Sequence, residues 1–222
     1  MKAMILAAGY GKRMLPLTEN CPKPLLTVGG RALIEHHLLH LAAAGFHEIV
    51  INTAYLGSVI ETQLGDGQRY GVAIEYSREG EPKETAGAII HALPLLGTEP
   101  FLLVNGDVYT DYNFQALAEL QPDYAHVVLT NKPSYLEQGD FDLIAQQLSN
   151  AARPYTYTGI GVYNPQPFTQ LTSDAPLALG PWLRENAAKG RISGELYQGQ
   201  WYDVGTPQRL QELNARVANQ VR

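Results

Sequence analysis

The sequence predicts an α/β fold, a single domain in which helices cover a mainly parallel central sheet. Three observations carry that prediction. Short apolar strands alternate with helix-period stretches from the N-terminus through Asn105, a rhythm that packs as a parallel sheet between helices. Glycine, proline and polar turn residues separate the segments. The 222 residues hold no low-complexity linker and no hexapeptide repeat, so one core is expected rather than two.

Taken in order, Ala3–Ala8 reads as a buried strand and leads into a glycine-rich loop. Leu33, Ile34, Leu38, Leu41 and Ala42 recur at helical spacing and predict a helix over Ala32–Ala44, with Gly45 where a helix C-terminus favours glycine. Strands are predicted over Glu48–Asn52, Val72–Tyr76 and Phe101–Asn105, and helices over Leu56–Leu64 and Ala86–Leu93. Beyond residue 124 the pattern changes. Tyr124–Thr130, Phe141–Gln147 and Tyr157–Tyr163 read as strands, Leu179–Ala188 as a helix, and Tyr202–Val204 as a short strand between glycines. Thr206–Asn219 follows as a helix, with Thr206 suited to the N-cap and Pro207 to the first turn. Sheets of this kind receive ligands at the carboxyl ends of their strands.

Composition narrows the partners. A chain 45% hydrophobic and 17% charged is ordinary for a globular protein. Its net charge of −6 disfavours general nucleic-acid binding, which needs a basic surface. Cys21 is the one cysteine, so no intrachain disulfide forms, as suits a reducing compartment. MKAMILAAG is too short for a signal peptide, and no run approaches the ~20 apolar residues of a membrane span. A cytoplasmic protein with small-molecule substrates, and no nucleic-acid or membrane partner, is expected.

The stretch after the first strand reads GYGKR. A dinucleotide fingerprint would need a third glycine where this chain has Met14, whose side chain would block close helix–strand packing. The Walker pattern has no match. What remains is a loop whose backbone N–H groups wrap a triphosphate, helped by Lys12, Arg13 and Lys23. The longer string LAAGYGKRMLPLTENCPKPLL resembles the signature of the sugar-1-phosphate nucleotidyltransferases, L-A-A-G-x-G-x-R-[ML]-x-P-L-T followed by P-K-P-[LM], with every fixed position present. The resemblance extends over nearly the whole chain. It implies a Rossmann-like (GT-A-like) α/β/α sandwich, with residues 1–112 as the nucleotide-binding half and 113–222 as the sugar-binding half.

The reaction implied is attack of a sugar 1-phosphate on the α-phosphorus of a nucleoside triphosphate, with pyrophosphate leaving. Two polyanions meet, so cations and fixed donors are required. By resemblance, Arg13 stabilises the pyrophosphate side and Lys23 the transferring phosphate, and the backbone of Ala8, Gly9 and Gly11 lies along the nucleotide beside Lys12. Asp107, in NGDVYTD at the end of an apolar strand, matches the family's Mg2+ aspartate, and Asp203 in WYDVGTP matches its second carboxylate. Asp203 as a mere helix cap is the weaker reading, because Thr206 is better placed. Asp111 is expected on the surface.

The segment SREGEPKETAGAI resembles the family's base-reading stretch, with Glu79 at the base edge and the backbone of Thr85, Ala86 and Gly87 close to the ring. Many relatives carry glycine where this chain has Glu84, and many carry an E-K-P segment after the metal aspartate that is absent here. The strings EGEPKETAGAI, LLVNGDVYTDYNF, QGDFDL, YTGIGVYNP, ISGELY and WYDVGTPQRL point to the family's short bacterial branch that acts on N-acetylmuramate 1-phosphate with UTP. That implies Asn105, Asp140 and Gly159 on the sugar, although Gly139-Asp140 also reads as a strand-entry turn. Alternatives are a mannose-1-phosphate guanylyltransferase and a catalytically silent nucleotide-sugar sensor. His36 and His40 have a spacing that can bind zinc but read as a solvated helix face, Cys21 and Trp201 read as structural, and Asp66 reads as a turn residue.

Overall fold

A computed structural model describes residues 1–171 and 175–220. Strand β1 (Ala3–Leu6) runs into the glycine loop, and a small hairpin of β2 (Thr27–Val28) and β3 (Arg31–Ala32) precedes helix α1 (Leu33–Ala43). Then follow β4 (Glu48–Thr53), α2 (Gly57–Leu64), β5 (Ala73–Arg78), α3 (Glu84–Leu96), β6 (Phe101–Asn105) and the short β7 (Val108–Thr110). The second half holds β8 (Ala125–Asn131), β9 (Asp142–Ile144), β10 (Gln147–Ser149), β11 (Tyr155–Tyr163), α4 (Leu179–Ala188), β12 (Ile192–Tyr197), β13 (Trp201–Asp203) and α5 (Pro207–Gln220).

One sheet joins both halves in the order β5-β4-β1-β6-β11-β8-β12-β10-β9. Only β10 and β11 run against the other strands, so the sheet is mainly parallel. Side chains alternate across β1. Ala3 and Ile5 pack with Ile34, Leu38 and Leu41 of α1 and Ile60 of α2. Met4 packs on the opposite face with Ile89 and Ala92 of α3 and Leu183 of α4. The result is the predicted layered α/β domain.

The predicted strand Phe141–Gln147 does not form as one strand. Ala145 and Gln146 take φ of 49° and 64° and reverse the chain, so that β9 and β10 pair as a hairpin. Neither residue is a usual left-handed turn former, which is why the sequence carried no break there. The segment read as Tyr202–Val204 lies one residue earlier, at Trp201–Asp203, and pairs antiparallel with β7 rather than joining the main sheet.

A third, small core fixes the glycine loop. Met14 is fully buried with Val28, Leu33, Val204 and Leu213. Thus the residue that rules out a dinucleotide loop ties the start of the chain to the β13–α5 corner.

Candidate active site

The carboxyl ends of β1, β4 and β6 open onto a cavity of 690 Å³. Ala8, Gly9, Gly11, Lys12, Arg13 and Lys23 line one side of it, and Asn52, Glu79, Thr85, Asn105 and Asp107 are on the walls around them. A side chain on Gly9 would meet nothing within 4 Å, so this backbone is open to a ligand. Gly11 is required for another reason: it has φ +63°, and a Cβ there would lie 2.9 Å from Thr18 Cγ2. Thr18 Oγ1 donates to the Gly11 carbonyl at 2.9 Å and closes the turn. Lys12 and Arg13 stand exposed on the following turn. Across the cavity mouth, Tyr10 O–H donates to Glu81 at 2.5 Å.

Lys23 and Asp107 meet at 2.5 Å between Nζ and Oδ2, with side chains 11% and 34% exposed. The β7–β13 register pairs Asp203 with Val108, and Val204 N–H donates to the Asp107 carbonyl at 3.0 Å. Asp203 ends β13, which pairs with β7, and Asp107 sits in the turn just before β7, so the two aspartates predicted as a pair lie at the same end of this two-stranded sheet. Asp203 accepts from Arg209 Nη1 at 2.7 Å, so each carboxylate has its own cation. Two carboxylates suit the oxygen preference of magnesium. Among the described residues no set of three or more His, Cys, Asp and Glu side chains gathers into a metal site, so phosphate and water oxygens would have to complete the coordination.

Glu79 is buried and both its oxygens are engaged. It accepts from Asn52 Nδ2 at 2.7 Å and from Lys83 N–H at 2.9 Å, while Asn52 Oδ1 accepts from Ala7 N–H at 2.7 Å. These bonds tie the loop after β1 and the β5–α3 loop to the end of β4, all bordering the cavity. Thr85 lines the cavity, and its hydroxyl accepts from Leu179 N–H at 2.7 Å. The amides of Ala86 and Gly87 donate to the carbonyl of Leu177, in the segment that leads into α4, at 2.8 and 3.0 Å, and neither residue lines the cavity. Gly159 has φ +80°, and a Cβ on it would lie 2.5 Å from Asn105 Cγ, so it backs Asn105 directly. Asp140 is spent inside the fold, accepting from Thr156 Oγ1 at 2.6 Å and Tyr157 N–H at 2.9 Å, and is not part of the cavity lining.

Other residues singled out by sequence have structural partners. His36 Nε2 contacts the Val28 carbonyl at 2.9 Å, and burial drives the His37 imidazole down to about 4. Burial raises the Cys21 thiol above its ordinary value. Trp201 Nε1 donates to the Thr158 carbonyl at 2.9 Å, Asp66 accepts from Gln68 N–H at 3.1 Å, and Asp111 is exposed and accepts from Gln200 N–H at 2.8 Å. The sequence reading missed Asn52, Thr18 and Arg209. A polar residue closing the apolar run EIVIN carries for Asn52 the same signal that marked Asp107. Arg209 had none, because its partner is made by tertiary contact.

The family model described as Nucleotidyl transferase matches residues 2–220. The chain belongs to the nucleotidyl transferase family. It is 48% identical, over 97% of both chains, to the N-acetylmuramate alpha-1-phosphate uridylyltransferase of Neisseria meningitidis serogroup B. The protein of the same name from Caulobacter vibrioides is 35% identical over 97% of this chain and 96% of its own. A mannose-1-phosphate guanyltransferase of Aspergillus oryzae is 32% identical over 93% of this chain but 61% of its own. Among solved structures, a Bacillus anthracis protein assigned as a glucose-1-phosphate thymidylyltransferase, in complex with sucrose, superposes with a TM-score of 0.87 at 25% identity, covering 97% of this chain and 94% of that one. No helix among the described residues of this nucleotidyl transferase is long and apolar enough to cross a membrane.

Proposed function

We propose that this nucleotidyl transferase moves the uridylyl group of UTP onto N-acetylmuramate 1-phosphate, giving UDP-N-acetylmuramate and pyrophosphate. The observation that carries the reading is the 48% identity over 97% of both chains to an enzyme of that name, with the glycine loop, Lys23 and Asp107 gathered round one cavity. An oxygen of the sugar phosphate bonds to the α-phosphorus as the bond from that phosphorus to the bridging β-phosphate oxygen breaks. The backbone at Gly9 and Gly11 holds the triphosphate. Arg13 stands over the departing pyrophosphate, and Lys23 over the phosphate in transfer, where charge builds. Asp107 and Asp203 would hold Mg2+, which when bound would offset phosphate charge.

Glu79 and the Thr85–Gly87 segment serve the base, and Asn105, Asp140 and Gly159 the sugar. For Glu79, Asp140, Ala86 and Gly87 the role is indirect, to hold neighbouring backbone in place, since their polar groups are already bonded within the fold. The lining of the main cavity comes almost wholly from residues 1–112, which supports a nucleotide-binding half and a sugar-binding half. The reaction draws on UTP, and we place it in the cytoplasm.

The test is pyrophosphate release with and without Mg2+, crossing UTP, dTTP and GTP with the 1-phosphates of N-acetylmuramate, N-acetylglucosamine, glucose and mannose. Release with UTP and the muramate sugar, dependent on Mg2+, is expected. Release only with GTP and mannose 1-phosphate would replace the substrates. Bound nucleotide with no release from any pair would overturn the enzyme reading.

A further inference from the structure

A second cavity, of 360 Å³, opens beside the first. Gly205 lines the main cavity and Asp203 the second, so this corner is their common wall. Helix α5 contributes Arg209 and Arg216, seven residues apart and hence on one face. The Arg209 guanidinium lies 3.5 Å over the Tyr135 ring and spends one N–H on Asp203 at 2.7 Å. A guanidinium has five donors, and among the described residues no other protein acceptor takes the rest of this one. Arg216 lies 5.5 Å from the Tyr202 ring centre and, among the described residues, meets no carboxylate at ion-pair distance. Glu212, the other acid on this wall besides Asp203, accepts from Gln208 Nε2 at 2.9 Å. Planar guanidinium forks held on aromatic rings with donors to spare suit a carboxylate.

N-acetylmuramate differs from N-acetylglucosamine by a lactyl ether at C3 that carries a carboxylate, while the phosphate is at C1. The acceptor thus presents two anions from different edges of one ring, and the molecule offers two cationic places separated by the Asp203–Gly205 wall: Lys23 in the first cavity, Arg209 and Arg216 in the second. We infer that Arg209, supported by Arg216 and the Tyr135 ring, receives the lactyl carboxylate and so selects a muramate acceptor. The inference rests on the acceptor proposed above.

The experiment measures kcat/KM with UTP for N-acetylmuramate 1-phosphate and N-acetylglucosamine 1-phosphate in the wild type, Arg209→Gln and Arg216→Gln. Arg209→Gln also disturbs Asp203, so the ratio of the two sugars is read rather than either rate. In the wild type the muramate sugar is preferred. In Arg209→Gln that preference falls about tenfold, the scale of one charge-assisted hydrogen bond, through a higher KM for the muramate sugar. Arg216→Gln, which leaves Asp203 with its partner, lowers it about threefold. Equal losses for both sugars in both variants would mean that the arginines hold the 1-phosphate or only steady Asp203; the inference then fails and the proposed reaction stands. A wild type that does not use the muramate sugar would overturn the proposed reaction and this inference with it.

Discussion

Asp107→Asn keeps the shape of the side chain and removes its charge beside Lys23. The Lys23 side chain is 11% exposed and Asp107 34%, at 2.5 Å. A buried charge-assisted hydrogen bond contributes about 1.5–3 kcal/mol. With a third of the carboxylate in water, solvent screening reduces this to about 1–2 kcal/mol. Urea unfolding of Asp107→Asn is therefore expected to show a midpoint lower by roughly 0.5 M with an unchanged slope. Turnover should suffer more. Losing one preorganised charged group where phosphoryl charge develops costs about 10²–10³ in kcat, and the dependence of rate on Mg2+ should largely vanish. Lys23→Ala supplies the other side of a double-mutant cycle, in which the two stability losses are expected to fall short of additive by about 1–2 kcal/mol. Additive losses would show that the ion pair is incidental. Near-normal Mg2+-dependent turnover in Asp107→Asn would remove this residue from the chemistry.

Three further outcomes are expected. Gly159→Ala forces a Cβ to 2.5 Å from Asn105 Cγ at φ +80°; left-handed strain alone costs about 1–2 kcal/mol, so thermal stability should drop and the KM for the sugar phosphate should rise, as calorimetry and steady-state kinetics would report. Asn52→Ala leaves the Ala7 N–H and one Glu79 oxygen without partners; at about 1–3 kcal/mol per unsatisfied buried group, a loss of about 2–6 kcal/mol in denaturant unfolding is expected. His37 gives a pH dependence. Burial holds its imidazole at about 4, below the ordinary 6.5, despite a raising bond to the Val108 backbone, and its Nε2 has no partner. The unfolded chain then takes up the proton first as pH falls, so stability is full above 6.5 and declines toward about 4, by about 3 kcal/mol in all. His37→Leu should flatten most of that slope, leaving a smaller part from His40, which burial shifts the same way.

The sequence by itself determined the alternation of strands and helices, the glycine loop and the family. Those signals are local. Period-2 and period-3.6 patterns report which face of an element is buried, and phosphate-binding chemistry is written within some twenty consecutive residues, MILAAGYGKRMLPLTENCPKPLL. Asp107 was legible for a similar reason, standing just past an apolar strand whose carboxyl end must face the ligand crevice.

Tertiary structure alone decided what the polar groups spend their hydrogen bonds on. Asp140, Ala86 and Gly87 matched positions in motifs, yet their partners are Thr156, Tyr157 and Leu177. Asn52 became a hub only because β4 lies beside β1 in register and carries it under Ala7. The Ala145–Gln146 reversal formed without a turn residue, in a hairpin that the sheet edge receives: β10 pairs with β12, and Gln146 O accepts from Gly194 N–H. Arg209 reached Asp203 because Met14, Val204 and Leu213 share one small core that sets α5 against the site. A pairing between residues far apart in the chain depends on where whole elements dock, and docking is fixed by packed side chains from several segments at once, which no window of sequence contains.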